Sequence, residues 1–170
     1  MKKGLLLILV IVAAQAQADD INLQINGTIT AGSCDVDATS KNKTVEMGQA
    51  VASDFSDTAV YGPWVPFELS VINCPATVTS VDAAFSGQLD AHNSTAYANT
   101  GTGRGVALQV VDSKNMMYML PGGDKSTEPV EATTHSATFR MSARYVRTSS
   151  LFIPGTFESA VQVTFTYRAF

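Results

Sequence analysis

Apolar side chains fall on every second position through much of the chain, the period of a β-strand with one face buried. Residues 19–30, DDINLQINGTIT, put Ile21, Leu23, Ile25 and Ile29 on one face, with Gly27 at the fourth alternate site. Residues 64–74 set Val65, Phe67, Leu69 and Val71 against Pro66, Glu68 and Ser70. Residues 78–87 form another such run, closed by Gly87. Residues 105–112 group Val106, Leu108 and Val110, and residues 137–146 group Phe139, Met141, Ala143 and Tyr145. In residues 159–170, Val161, Val163, Phe165, Tyr167 and Ala169 alternate with Gln162, Thr164, Thr166 and Arg168. A shorter strand is expected over 40–48. Between these runs lie turn-forming pieces: a polar, glycine-containing loop at 93–105, Pro-Gly-Gly within 120–129, and Pro-Gly within 152–155. Residues 50–62 read as a loop with a short helical turn. Short strands separated by turns predict an all-β protein, an antiparallel β-sandwich.

The first eighteen residues break this pattern. Lys2 and Lys3 precede a short apolar run from Leu5 to Ala14, and Ala16-Gln17-Ala18 follows. That order is the order of a cleaved export signal, so residues 1–18 are expected to be removed. The rest is sized for one domain with a core of its own. The two cysteines, Cys34 and Cys74, then sit in an exported chain, where an even count reads as one disulfide. It would close a loop of about 40 residues, worth roughly 4 kcal/mol in the chain-entropy account. Two cysteines and distant histidines are too few ligands for a metal site. The net charge is −4 with 15% charged residues, and no Lys/Arg cluster makes a nucleic-acid footprint.

Candidates for chemistry are sparse. His92 and His135 lie in polar, turn-like stretches and read as solvated loop histidines. Asp35 and Asp37 share a strand face beside Cys34 and read as a solvated face. There is no G-x-S-x-G nucleophile elbow, no P-loop and no EF-hand loop. The glycines of residues 101–105 lead into a strand rather than a helix, which suits a loop and not a nucleotide cradle. The single Trp64 is expected in the core. No catalytic residue, metal or cofactor is assigned.

Four features together resemble the chaperone–usher fimbrial (pilus) subunits, in the style of the type 1 fimbrial protein family. They are the amino-terminal INLQINGTI, the pair formed by Cys34 in AGSCDV and Cys74 in INCP, the stretch FRMSARYV, and the closing strand from Pro154-Gly155 to Tyr167. They span nearly the whole exported chain in the family's order. The end departs from it: Arg168, Ala169 and Phe170 follow the tyrosine that the family usually has as its penultimate residue.

The resemblance implies an incomplete immunoglobulin-like (pilin) β-sandwich, completed by a strand donated from another molecule. Residues 19–30 would be the N-terminal donor-strand extension and residues 31–170 the pilin domain. Ile21, Leu23, Ile25 and Ile29 would fill pockets of a neighbouring subunit, with Gly27 where the groove is too shallow for a side chain. Val161, Val163, Phe165 and Tyr167 would form the C-terminal strand that a chaperone contacts. The implied partners are a periplasmic immunoglobulin-like chaperone, an outer-membrane usher and neighbouring fimbrial subunits. The implied route runs through the periplasm to a fimbrium on the surface of a Gram-negative bacterium. One domain with its extension suits a shaft or adaptor subunit. Two other readings stay open: a single-domain secreted carbohydrate-binding sandwich using Trp64, Tyr97 and Tyr118 for stacking, and a small periplasmic hydrolase.

Overall fold

The computed structural model describes residues 32–49 and 61–169. The expected export signal (1–18), the strand at 19–30 and most of the loop at 50–62 lie outside the described residues. Eight strands follow in order: β1 (Asp35–Val36), β2 (Val65–Ile72), β3 (Val78–Gly87), β4 (Val106–Asp112), β5 (Met117–Tyr118), β6 (Gly122–Pro129), β7 (Ala137–Arg147) and β8 (Val161–Ala169). They build two antiparallel sheets, ordered β1-β2-β7-β4-β5 and β6-β3-β8. The alternation seen in the sequence is the reason they face each other. Leu69, Val71, Phe85, Val110, Phe139 and Met141 are all buried in one core between the sheets.

Strand direction gives the sandwich two ends. β3 and β7 finish where β4 and β8 begin, beside the loops at 88–105 and 148–160; we call this the groove end. The opposite, base end carries the disulfide between Cys34 and Cys74, whose sequence separation is 40. Both cysteines are buried. The Tyr167 hydroxyl donates to the Cys34 carbonyl over 3.1 Å, fixing the end of β8 to the same region.

Three expectations need correction. Residues 40–48 form no strand among the described residues. The Asp37 carboxylate accepts from the Thr39 amide at 2.8 Å, and the Asp37 carbonyl accepts from Ser40 and Lys41, so the chain turns there. Val45 and Met47 still point partly inward, so the side-chain alternation holds while the pairing does not. Residues 122–129, read as part of a turn, form β6. This strand is polar because it lies at a sheet edge and buries Ser126 alone, whose hydroxyl donates to Asp112 at 2.7 Å. Trp64 is half-buried rather than in the core. The Arg144 guanidinium lies 4.2 Å from its ring centroid and 3.7 Å from that of Tyr61.

β4 also differs from simple alternation, since Ala107, Gln109 and Val111 are as buried as Leu108 and Val110. Its outer face is covered. Tyr97 exchanges backbone hydrogen bonds with Leu108 at 2.7 and 2.9 Å, and Ala96 packs on Ala107 and Val146.

β8 is held to β3 from Val161↔Gly87 to Ala169↔Val78. Across that pair, Arg168 donates from both Nε and Nη2 to the buried Asp82 carboxylate, and Thr127 of β6 donates to its other oxygen at 2.7 Å. Burial alone would raise the Asp82 pKa. The hydrogen bonds from Arg168 and Thr127 together outweigh it and hold the carboxyl below its ordinary value. A depressed carboxylate stabilises the fold above the ordinary aspartate range and loses that contribution as pH falls through the range. Asp82→Ala is therefore expected to cost about 1.5–3 kcal/mol at pH 7, the range for hydrogen bonds to charged groups. The difference from wild type should shrink in acid; urea denaturation at pH 7 and pH 3 measures both.

Candidate functional site

Beside β8 the sandwich is open. A cavity of about 1020 Å³ lies at the groove end. Its floor is core: Phe67, Leu69, Phe85, Leu108, Val110 and Ala143. One rim is residues 43–49, and the other runs from Phe152 through Ser159 to Val161 and Val163. The floor residues alternate along β2, β4 and β7, so the pattern that makes the core also makes the groove apolar.

Both rims carry unpaired backbone. Among the described residues β8 pairs only with β3, and no backbone–backbone hydrogen bond involves residues 43–49. One contact ties the first rim down: the Tyr145 hydroxyl donates to the Gly48 carbonyl at 3.1 Å. Burial, and then the Glu46 carboxylate, push the Tyr145 phenol above its ordinary value, so it keeps the proton it donates. The Tyr145 ring meets Phe157 edge-on with centroids 4.7 Å apart, which orders the second rim.

The C-terminal residues singled out in the sequence divide between two places. Val161 and Val163 line the cavity. Phe165 packs on Phe139, with ring centroids 5.7 Å apart, and Tyr167 reaches the disulfide region. All four are half-buried, while Gln162, Thr164, Thr166 and Arg168 face outward. Ile21, Leu23, Ile25, Gly27 and Ile29 lie outside the described residues. Sequence reasoning missed the first rim and Phe157. The signal for the rim was present as the alternation of Val45 and Met47.

The residues considered for other chemistry are dispersed. Tyr97 is fully buried and its hydroxyl donates to the Met119 carbonyl at 2.8 Å, so it presents no stacking face. The Tyr118 hydroxyl accepts from Arg144 at 2.9 Å. His135 Nδ1 lies 3.2 Å from the Cys74 carbonyl. Asp35 accepts from Asn73 at 3.0 Å. No group of three metal-ligating side chains occurs among the described residues.

A sandwich with an apolar floor and an open side defines a pilin-type fold, and comparison with known proteins agrees. Residues 23–168 match the fimbrial protein family. The S-fimbrial adhesin protein SfaS of Escherichia coli O6:K15:H31 (strain 536 / UPEC) is 33% identical over 156 residues, covering 92% of this chain and 90% of that protein. Protein FimG of Escherichia coli (strain K12) is 29% identical over 168 residues, covering 98% and 97%. A chain from the solved structure of a chaperone–usher pilus superposes with a TM-score of 0.66 at 17% identity, covering 92% of this chain and all of that one, a likeness of fold. The chain belongs to the fimbrial protein family and is a subunit of a surface fimbria.

Proposed function

We propose that this subunit polymerises by strand exchange: its groove accepts the amino-terminal strand of a neighbouring subunit, and its own residues 19–30 fill the next groove. The observation that carries this reading is the pair of open backbone edges facing each other across an apolar floor. An extended segment between them gains main-chain hydrogen bonds and pockets for alternate side chains, as in strand addition generally. Residues 19–30 have the matching pattern. Burying Ile21, Leu23, Ile25 and Ile29 is worth roughly 6–12 kcal/mol, before the ordering costs of association. A strand of twelve residues reaches roughly 40 Å, the length of a small sandwich. Antiparallel pairing with β8 fits every other pair in the two sheets and is the more stable arrangement.

An open apolar edge invites aggregation. A periplasmic immunoglobulin-like chaperone that covers the groove until an outer-membrane usher brings the next subunit answers that problem. The signal at 1–18 and the disulfide fit such an oxidising, exported route. The role is structural, as a shaft or adaptor subunit, with no catalytic step.

A synthetic peptide of residues 19–30, added to the subunit drawn from the periplasm with its chaperone, tests the reading. It is expected to displace the chaperone and give a complex that survives unheated SDS electrophoresis. A peptide carrying Gly27→Leu should be captured at least about tenfold more slowly, the rate factor of 1.4 kcal/mol. Equal capture of both peptides would remove the pocket assignment, and capture of neither would remove strand exchange.

A further inference from the structure

Exposed large apolar side chains gather at the two ends of the sandwich. Leu89, Leu151 and Ile153 are 52%, 63% and 45% exposed at the groove end. Met116 and Met117 are 50% and 54% exposed at the base end, in the turn between β4 and β5. Leu89 and Leu151 flank a second cleft of about 330 Å³ that also contains Arg104, and Arg104 bridges to Ile153. Clustered apolar exposure of this kind marks contact surfaces, whereas single exposed residues do not.

Both clusters are held out rigidly. In the loop that presents Leu151, Arg147 donates to the carbonyls of Ser149 and Ser150 at 2.9 and 2.8 Å. Thr148 donates to Gly105 at 2.9 Å, and Ile153 exchanges backbone hydrogen bonds with Arg104. Gly105 sits at φ 81°, and a Cβ there would meet the Leu151 carbonyl at 2.2 Å, so the loop lies directly on the start of β4. At the other end, the Met116 amide donates to the Asp112 carbonyl at 2.8 Å, and Met117 donates to the Asn115 side chain at 3.0 Å. Neither cluster can turn its apolar side chains away from water without breaking these bonds.

We infer that the two ends are the halves of one head-to-tail interface: the base end of one copy, with Met116 and Met117, seats on the Leu89–Leu151–Ile153 cluster of the next copy. This rests on the strand-exchange reading, which sets the direction. A strand antiparallel to β8 ends its course at the groove end. Its donor resumes at Gly32, packed against Pro75 at its own base end. From Thr30 to Cys34 is four residue steps, at most about 14 Å of extended chain. A tether that short brings the donor's base down on the acceptor's groove end. The contact is heterologous, the type that propagates a filament rather than closing a ring.

The test compares two probes on the chaperone-held subunit: the peptide of residues 19–30, which fills the groove alone, and a second full copy, which must also bring the ends together. Leu151→Asp and Met117→Asp alter exposed side chains. Each is expected to capture the peptide at the wild-type rate but to form SDS-resistant subunit pairs about tenfold more slowly. The Leu151→Asp/Met117→Lys double variant, which opposes charges across every interface, should recover to within threefold of wild type. Subunit pairing at the wild-type rate by both single variants, or a double variant no faster than Leu151→Asp alone, overturns the interface and leaves strand exchange standing. If wild type captures neither peptide nor second copy, both proposals fall.

Discussion

A subunit lacking residues 19–30 forms no polymer, yet its groove still captures an added peptide of that sequence. The asymmetry follows from where the two functions lie. The groove floor is Phe67, Leu69, Phe85, Leu108, Val110 and Ala143, all within the sandwich, and the deletion removes none of them. What is lost is the segment that would bury four aliphatic side chains elsewhere, roughly 6–12 kcal/mol of gross stabilisation. No other strand among the described residues is free to leave its sheet and replace it. The effect is all-or-none on fibre growth, while peptide capture should stay within about twofold of wild type, under 0.5 kcal/mol. Mixed with full-length protein, the truncated chain accepts a strand but donates none, so small amounts should shorten the fibres. Electron microscopy and unheated electrophoresis read both outcomes. Fibres of normal length from the truncated chain alone would end the strand-exchange account.

The second large effect is on stability. Replacing Cys34 and Cys74 together by serine releases a loop spanning a sequence separation of 40. That removes about 4 kcal/mol in the chain-entropy account, a large share of the 5–15 kcal/mol that holds a domain of this kind together. The share matters more here because the open groove leaves apolar core uncovered in the isolated subunit. Thermal unfolding should show the midpoint falling by roughly 10–20 °C. Adding the peptide of residues 19–30 should restore part of the loss, since a ligand that binds only the folded state raises its apparent stability. A change under about 2 °C would mean that the packing around Tyr167 and the base end holds these segments without the covalent link.

Alternation of apolar and polar residues made β2, β3, β7 and β8 legible, because each buries one face and leaves the other wet or lightly covered. The same logic obscured β6. An edge strand that buries only Ser126 has no apolar stripe to read, and its Pro-Gly-Gly neighbourhood reads as a turn. β4 carries apolar residues on both faces because residues 93–99 fold back over it, a tertiary fact with no local signature. Residues 40–48 show the limit most clearly. Val45 and Met47 alternate as in a strand, but a strand also needs a neighbour, and periodicity says nothing about whether one is present. That same gap is why half of the groove escaped notice. Val161 and Val163 announced themselves in the final strand, whereas the opposing rim is defined by hydrogen bonds it does not make. Trp64 was misjudged because a lone aromatic gives no hint of an arginine waiting to cover its ring.

The long antiparallel union of β8 with β3, reinforced by Arg168 on Asp82, has a mechanical meaning. Its interstrand hydrogen bonds lie perpendicular to the strands. A donated strand laid along the free edge of β8 would adopt the same geometry, with its axis along the direction in which subunits succeed one another. Tension on the fimbria would then load that whole row of bonds in shear, so they must fail together rather than peel one by one. An attached cell dragged by flow would be held by a joint whose rupture force grows with the length of the shared ladder.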